Sequence, residues 1–388
     1  MTDLSQERFP ENAPSSPRRS WGFLNLLHGA GERTRTVTVV AVAIAWIPPA
    51  ALSLVHGTGS LRSFLTDYAS QSRFLVILPV LILAVPGLNR CLDRVVHHLE
   101  QFVPENQSPA YQADWASFER LSNSRLAQSV IVLISYAAFT WLANSVGPEG
   151  AEVVDWWKGR GGLFHWFSPA GTWTIFVSYP ILAFYTLLWL WRQLLWVRFM
   201  RAAAGLKLRL IAAHPDSLGG LGFIESALCA QQPFSFCLGA ALAGAVANRI
   251  FHHGQRLSSF AEVAAVLFGL VLLICVAPYF VFTPALTLMR RSGLLKYGGF
   301  ARSAGEHFEQ KWLTGSDRLN QDVLMVADFS AMHNLYGVVG NVNNVSVLPV
   351  TRVDLYGLLA AAFAPFLPVV IASVPFAVVV RAVIKMLI

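Results

Sequence analysis

Hydrophobic residues in this chain gather into seven long runs that polar segments separate. A membrane hydrocarbon core of roughly 30 Å needs about 20 apolar residues in a helix. The runs cover residues 37–55, 74–88, 126–146, 174–200, 233–248 and 260–289, and a last one begins near Asp354. The pattern predicts an all-α fold, a polytopic transmembrane bundle of about seven helices (six to eight) with a small cytoplasmic helical subdomain.

Lysine and arginine alternate in number between the segments that separate these runs. The N-terminal tail and the six loops hold 5, 2, 4, 2, 5, 2 and 7 of them in chain order, if Arg192 and Arg198 near the end of the fourth run are counted with the loop that follows it. Since cytoplasmic segments of membrane proteins are enriched in these residues, the N-terminus and the even-numbered loops are predicted to be cytoplasmic. Only 13% of residues are charged, whereas soluble domains have roughly 25%. The net charge of +7 therefore reflects topology and predicts no nucleic-acid partner.

The runs divide the chain into four parts. Residues 1–35 form a polar cytoplasmic tail and residues 36–289 form transmembrane helices 1–6 with their loops. Residues 290–353 form the cytoplasmic loop subdomain, in which 317–336 read as an amphipathic helix. Residues 354–388 form a final transmembrane helix or a short hairpin folded at 373–375, and Thr351 with Asp354 has capping-box spacing at its start.

Prolines interrupt most of the runs, and charged groups are absent from their middles. Examples are Pro48, Pro49, Pro79, Pro180 and Pro278. Each proline removes a helical hydrogen bond, so another group must satisfy the freed carbonyl. Transporters and channels build sites from such breaks, but packed helices also have them. Both interpretations stay open.

Small residues lie on one face of the fifth predicted helix, at Gly239, Ala243 and Ala247. Such spacing allows close approach of a second helix. The partner is either another helix of the bundle or a second copy of the chain in a homo-oligomer.

The most informative polar segment is His-Pro-Asp-Ser-Leu-Gly-Gly-Leu-Gly at 214–222, on the predicted cytoplasmic side. Its proline and glycines indicate a tight turn. The turn could bind an anion or pair His214 with Asp216 as a base, and it could equally be a helix stop. Acidic and histidine side chains of the last loop could join it at the cytoplasmic face. The predicted candidate site contains His214, Asp216, Gly219, Gly220, Asp322, Asp328 and His333.

No spacing in the chain matches a metal site, and nucleotide-binding, metalloprotease and serine-hydrolase motifs are absent. We therefore assign no catalytic residue, metal or cofactor. The four cysteines show no CxxC spacing and indicate no disulfide scaffold.

From about residue 199 onward the chain resembles a family of bacterial multi-pass inner-membrane proteins whose function is unassigned. The resemblance rests on the motif at 214–223 and on a later stretch with Lys311-Trp312, Asp322, Asp328 and Pro349. The family pattern in that stretch reads D-I-Q-S-L-A-D-L, and here D-V-L-M-V-A-D-F lacks the Gln-Ser pair. The resemblance implies a bacterial inner-membrane location with the lipid bilayer as partner, and no activity.

Three functional hypotheses follow. The first is a channel or transporter for a small solute, because the helices are broken by proline and the interior is uncharged. The second is a membrane sensor or scaffold whose cytoplasmic loops bind a protein. The third is a membrane-embedded enzyme using His214 and Asp216, and it comes last because no complete catalytic constellation is present.

Overall fold

The computed structural model describes residues 31–145, 155–157, 167–312 and 327–373. Every regular element in these ranges is a helix, which confirms the all-α prediction. Apart from helices of three to five residues, they are in chain order α1 Gly31–Val55, α2 Thr58–Leu65, α3 Tyr68–Glu100, α4 Ser108–Ser122, α5 Arg125–Ser145, α6 Pro169–Gly205, α7 Gln232–His253, α8 Ala261–Trp312, α9 Ala327–Asn343, α10 Arg352–Phe363 and α11 Phe366–Ser373.

Within the described ranges, five helices are long and apolar enough to cross a membrane. These are α1, α3, α6, α7 with the turns before it (Gly222–His253), and α8. The bent pair α10 and α11 makes a sixth if it counts as one span, and the apolar part of α5, Arg125–Trp141, is shorter. These helices fit an integral membrane protein with several spans, while the count of seven stays a prediction.

The helix ends separate into two groups, as the predicted topology requires. At one end, the Arg209 amide after α6 donates to the Phe102 carbonyl after α3 at 2.8 Å. At the other end, the Asp67 carboxylate before α3 accepts hydrogen bonds from Trp156 Nε1 at 3.2 Å and from Asn248 Nδ2 at 2.7 Å. We call the first the basic end, because the arginine-rich segments 90–125, 198–209 and 290–302 lie there. Its assignment to the cytoplasm stays a prediction.

Three spans contain a widened, π-helical segment that ends two residues before a proline. The segments are Ser72–Ile77 before Pro79, Thr174–Ser178 before Pro180, and Leu272–Val276 before Pro278. A proline lacks the amide hydrogen and its ring collides with the carbonyl four residues earlier. Widening the preceding turn moves that carbonyl away from the proline ring. The prolines in the sequence therefore explain the π-helical segments that precede them.

Side chains of α6 satisfy carbonyls that prolines free in α1 and α8. In each case the acceptor lies four residues before a proline, at Pro48, Pro49 or Pro278. In lipid an unpaired carbonyl costs several kcal/mol. The pairs are Trp173 Nε1 with Ile44 at 3.2 Å, Ser178 Oγ with Ala45 at 2.7 Å, and Gln193 Nε2 with Ile274 at 2.8 Å. The hydrogen bonds made at these helix breaks thus join α6 to α1 and α8.

The small-residue face of α7 packs inside the chain. A Cβ atom on Gly239 would overlap the carbonyl oxygen of Ala362 on α10. Ala243 and Ala247 are buried against neighbours that include Val369 of α11. The sequence left open whether this face packs against a helix of the same bundle or against a second copy of the chain. In the described residues it packs against helices of the same chain.

The last predicted run begins as expected and then bends. Thr351 and Asp354 form the predicted capping box, with each side chain bonded to the other residue's backbone amide. Between α10 and α11 the chain turns by 56°, where Pro365 follows the end of α10. The alternative fold-back at 373–375 falls largely outside the described residues.

The sixth predicted run does not end at residue 289. Helix α8 has 52 residues and is about 80 Å long, more than twice the hydrocarbon thickness. Its second half packs against α9, with Phe329 contacting the rings of Phe308 and Trp312. Residues 290–312 and 327–343 form what we call the arm. The predicted amphipathic helix at 317–336 thus corresponds to α9 from Ala327 onward, and the residues before it lie outside the described part.

Candidate functional site

The turn at 214–222 is organised around the carboxylate of Asp216. Its oxygens accept hydrogen bonds from the amides of Leu218, Gly220 and Gly222 at 2.9–3.1 Å. His214 Nδ1 lies 2.8 Å from Asp216 Oδ1. Burial would raise the pKa of Asp216, but the three amides and His214 favour the ionised form, so the pKa lies below its ordinary value. Asp216 is thus an anion held by backbone amides.

The glycines of the turn fit narrow spaces between helices. Gly219 and Gly220 have φ values of 68° and 99°, a conformation that L side chains rarely adopt. A Cβ atom on Gly219 would lie 2.5 Å from Sδ of Met289, and one on Gly220 would lie 2.5 Å from the ring of Phe102. The turn therefore packs tightly between the end of α3 and the middle of α8, and this packing requires glycine at positions 219 and 220.

The structure places four of the seven predicted site residues in this one turn, and of the other three it describes only the side chain of His333. Asp322 lies outside the described residues, and Asp328 lies in α9 although its side chain is not described. His333 is exposed on α9, and no hydrogen bond or ion pair joins it to the turn in the described part. Within those residues no group of three His, Cys, Asp or Glu side chains could hold a metal ion.

A buried polar cluster, which the sequence did not indicate, joins α3, α6 and α8. Arg192 is 7% exposed and donates to Asn89 Oδ1, while its Nε and Nη1 have no hydrogen-bond partner among the described residues. Beside it, Gln231 Nε2 donates to Gln193 Oε1 at 2.8 Å and Trp196 Nε1 donates to the Tyr279 hydroxyl at 3.3 Å. Arg192 was expected to belong with the loop after its helix, but its side chain is buried in the bundle.

An open groove of about 710 Å³ runs along the surface between α3, the start of α7, and α10. Its lining is mostly apolar, with Arg94 at one end. A Cβ atom on Gly87 would meet nothing within 4 Å, so this glycine leaves space that a side chain would fill. Its lining includes Gly87, Cys91 and Arg94 of α3, Ser226 and Cys229 before α7, and Ala361 of α10.

The groove could not be predicted from the sequence because its lining comes from three distant parts of the chain. One local signal was present. Leu83, Gly87, Arg90 and Arg94 lie three or four residues apart, and all four are exposed, so a glycine interrupts an outward-facing stripe of α3. Cys229 is exposed whereas Cys91, Cys237 and Cys275 are buried, and all four are free thiols.

Comparison of the chain with protein-family models, with curated proteins and with solved structures finds no match in any of the three. Function is therefore inferred from the fold and from the geometry of the turn, the buried cluster and the groove.

Proposed function

We propose that the protein is a transporter for a small solute and that the groove between α3, α7 and α10 is its binding place. The lining of this open groove, mostly apolar with Arg94 at one end, carries the proposal. Binding sites for small molecules have volumes of roughly 300–1,000 Å³ and are mostly apolar with a few polar groups. We include in this proposal the bacterial inner-membrane location, which the family resemblance supports.

The groove supports a transporter better than a water-filled pore. A pore lined by broken-helix carbonyls would need those carbonyls free, yet Ile44, Ala45 and Ile274 each accept a hydrogen bond from α6. The core between the spans is filled by large side chains such as Trp196 and Tyr279. A solute would therefore enter from the side of the bundle, and the bend between α10 and α11 supplies a place for movement.

The test fills the groove while leaving the fold intact. Gly87→Leu puts a side chain into the groove, and Gly269→Leu is its matched control, because Gly269 is also a helical glycine with nothing within 4 Å of a Cβ atom. Native mass spectrometry of the purified proteins would detect small bound molecules. Any molecule found would then be loaded into proteoliposomes and its flux measured.

The expected result is that wild type and Gly269→Leu retain and transport the same molecule, while Gly87→Leu does neither. A molecule that binds in the groove but never crosses the vesicle membrane would contradict transport. A molecule retained equally by Gly87→Leu would contradict the groove as its site.

A second candidate function, a sensor or scaffold, is favoured by the arm. The arm extends beyond the span of α8 and keeps apolar side chains exposed, with Leu295 at 80% and Phe300 at 64%. Exposed apolar patches outside the membrane are typical of protein-binding surfaces. Charged residues such as Arg302 and Glu306, which pair with each other at 2.8 Å, surround the patch and keep it soluble.

Photo-crosslinking in intact cells tests the scaffold function. A benzoylphenylalanine at position 295 or 300 is expected to capture one and the same protein, and the same probe at Gln112, an exposed position of α4 outside the arm, is the control. Phe300→Glu should remove the adduct formed at 295. Equal capture at 112, or none at 295 and 300, would contradict a docking role for the arm.

The enzyme hypothesis has the least support from geometry. A general base needs a lone pair free to accept the proton of a substrate, whereas three backbone amides and His214 already occupy the carboxylate oxygens of Asp216. The arrangement instead favours a structural role for the turn.

A further inference from the structure

We infer that the solute bound in the groove is a single-chain anionic amphiphile taken from the membrane leaflet at the basic end. This inference rests on the proposed function, since it names the chemical class for the same groove. Two properties of the groove carry it: the apolar lining along most of its length, and the guanidinium group of Arg94 at its end.

The apolar part of the groove lies at the depth of the hydrocarbon core. The hydrophobic run of α3 ends at Leu88, and Gly87 lies beside that point. Ala84 and Leu88 of α3 face Pro233 and Phe236 of α7 across the groove. Apolar walls at this depth fit an alkyl chain, because they offer few hydrogen bonds to a polar solute.

Arg94 lies seven residues beyond Gly87 on the same helix, about 10 Å further along its axis. This displacement is about the distance from the outer hydrocarbon to the level of the lipid headgroups. An amphiphile with its chain against Gly87 would therefore place its anionic head near Arg94. Guanidinium groups bind carboxylate and phosphate through paired, charge-assisted hydrogen bonds.

The guanidinium of Arg94 is available for such a head. It is exposed, and its one hydrogen bond to the described residues runs from Nε to the Arg90 carbonyl at 3.4 Å. Two acids lie near Cys229, Asp354 and Glu225. Asp354 accepts from Thr351 Oγ1 at 2.6 Å and from the Cys229 thiol at 3.8 Å, and neither acid lines the groove. Asp354 therefore caps α10, and Arg94 has no competing carboxylate in the groove lining.

The test uses spin-labelled stearate and its methyl ester with the full chain in phosphatidylcholine nanodiscs at pH 8. The two probes have the same chain, but only the stearate carries a negative charge. Electron paramagnetic resonance measures the fraction of each probe that is immobilised by the protein. The variants are Arg94→Ala and its control Arg90→Ala, an exposed arginine one turn away that does not line the groove, together with Gly87→Leu and its control Gly269→Leu.

We expect Gly87→Leu to abolish immobilisation of both probes, and Arg94→Ala to weaken stearate binding about tenfold, the size of one charge-assisted hydrogen bond. Arg94→Ala should leave the methyl ester unchanged, and both control variants should match wild type. Equal losses in Arg94→Ala and Arg90→Ala, or equal affinities for acid and ester in wild type, would overturn the inference.

The outcomes separate this inference from the proposed function. If Gly87→Leu abolishes binding of both probes while Arg94→Ala changes neither, the groove remains a solute site and only the anionic class is wrong. If Gly87→Leu leaves both probes immobilised, the groove is not the site and both proposals fail. A third probe, spin-labelled phosphatidylglycerol, tests the single-chain assignment, which is wrong if this lipid binds more tightly than stearate and depends more strongly on Arg94.

Discussion

Gln193 on α6 donates a hydrogen bond to the carbonyl of Ile274 on α8 at 2.8 Å, and Ile274 lies four residues before Pro278. The proline leaves this carbonyl without its helical donor, and the glutamine replaces it from a neighbouring helix. The same glutamine accepts from Gln231 through Oε1. One side chain thus compensates a helix break and ties three segments together.

We predict that Gln193→Leu destabilises the protein by about 1–2 kcal/mol, because it leaves the Ile274 carbonyl and the Gln231 amide unpaired. Thermal unfolding in detergent measures the loss. Gln112→Leu is the control, since Gln112 is an exposed glutamine that bonds to Glu100, and it should have little effect.

A substitution of Pro278 tests whether Gln193 compensates for this proline. Pro278→Ala restores a backbone amide that can bond to Ile274, so the double variant should be more stable than the sum of the two single changes. Strictly additive effects would show that Gln193 does not compensate for Pro278.

For the turn at 214–222, we predict a loss of stability in Asp216→Asn that depends on pH. The amide nitrogen of asparagine would face backbone donors, at a cost of about 2 kcal/mol. Because the folded-state pKa of Asp216 lies below the ordinary 3.8, its contribution is present above about pH 4 and is lost as the pH falls through the folded value. Unfolding of both proteins between pH 3 and pH 7 should show their difference shrinking only at the acidic end.

The control for this measurement is Glu306→Gln. Glu306 is an exposed acid paired with Arg302, and such pairs contribute little, so its effect should be small throughout. A difference between wild type and Asp216→Asn that is constant from pH 3 to pH 7 would contradict the ionised role of Asp216.

We predict that Gly220→Ala costs at least about 3 kcal/mol, because it combines a φ of 99° with a collision against the ring of Phe102. Gly254→Ala has a φ of 64° and open space around its Cβ position, so it should cost only about 1 kcal/mol. The difference between the two losses in thermal unfolding measures the collision together with the less favourable φ of Gly220, and equal losses would mean that the turn does not pack tightly on α3.

Topology can be tested with single cysteines introduced after Cys229→Ala removes the one exposed native thiol. A maleimide that cannot cross membranes should label Gln255→Cys on intact cells and should label Ser303→Cys only after lysis. This follows from the positive-inside rule applied to the basic end. Labelling of both positions from the same side would refute the predicted arrangement of the spans.

The long apolar runs and the alternating loop charges were enough to predict a helical membrane protein and the grouping of helix ends. They suffice because lipid forces each span to satisfy its own backbone, so local composition determines the element. The capping box at Thr351 was predictable for a similar reason, since both of its partners lie within one turn.

The features that depend on which helices meet were not predictable. Arg192 is near the end of a run, where a solvated position was the natural interpretation, and only the packing of α3 against α6 buries it beside Asn89. The continuation of α8 to Trp312 was hidden because its second half is polar and shows no apolar run. The groove depends on Gly87 and Ala361, residues 274 positions apart in the chain.

The hydrogen bonds that α6 donates to the proline-freed carbonyls of α1 affect how the protein inserts into the membrane during translation. Ser178 reaches Ala45 across 133 residues, so α1 leaves the ribosome well before its partner exists. Until α6 is synthesised, the two open carbonyls of α1 require water or another helix. The first span should therefore stay beside the insertion machinery during translation and move fully into lipid only after the Ser178 region has emerged.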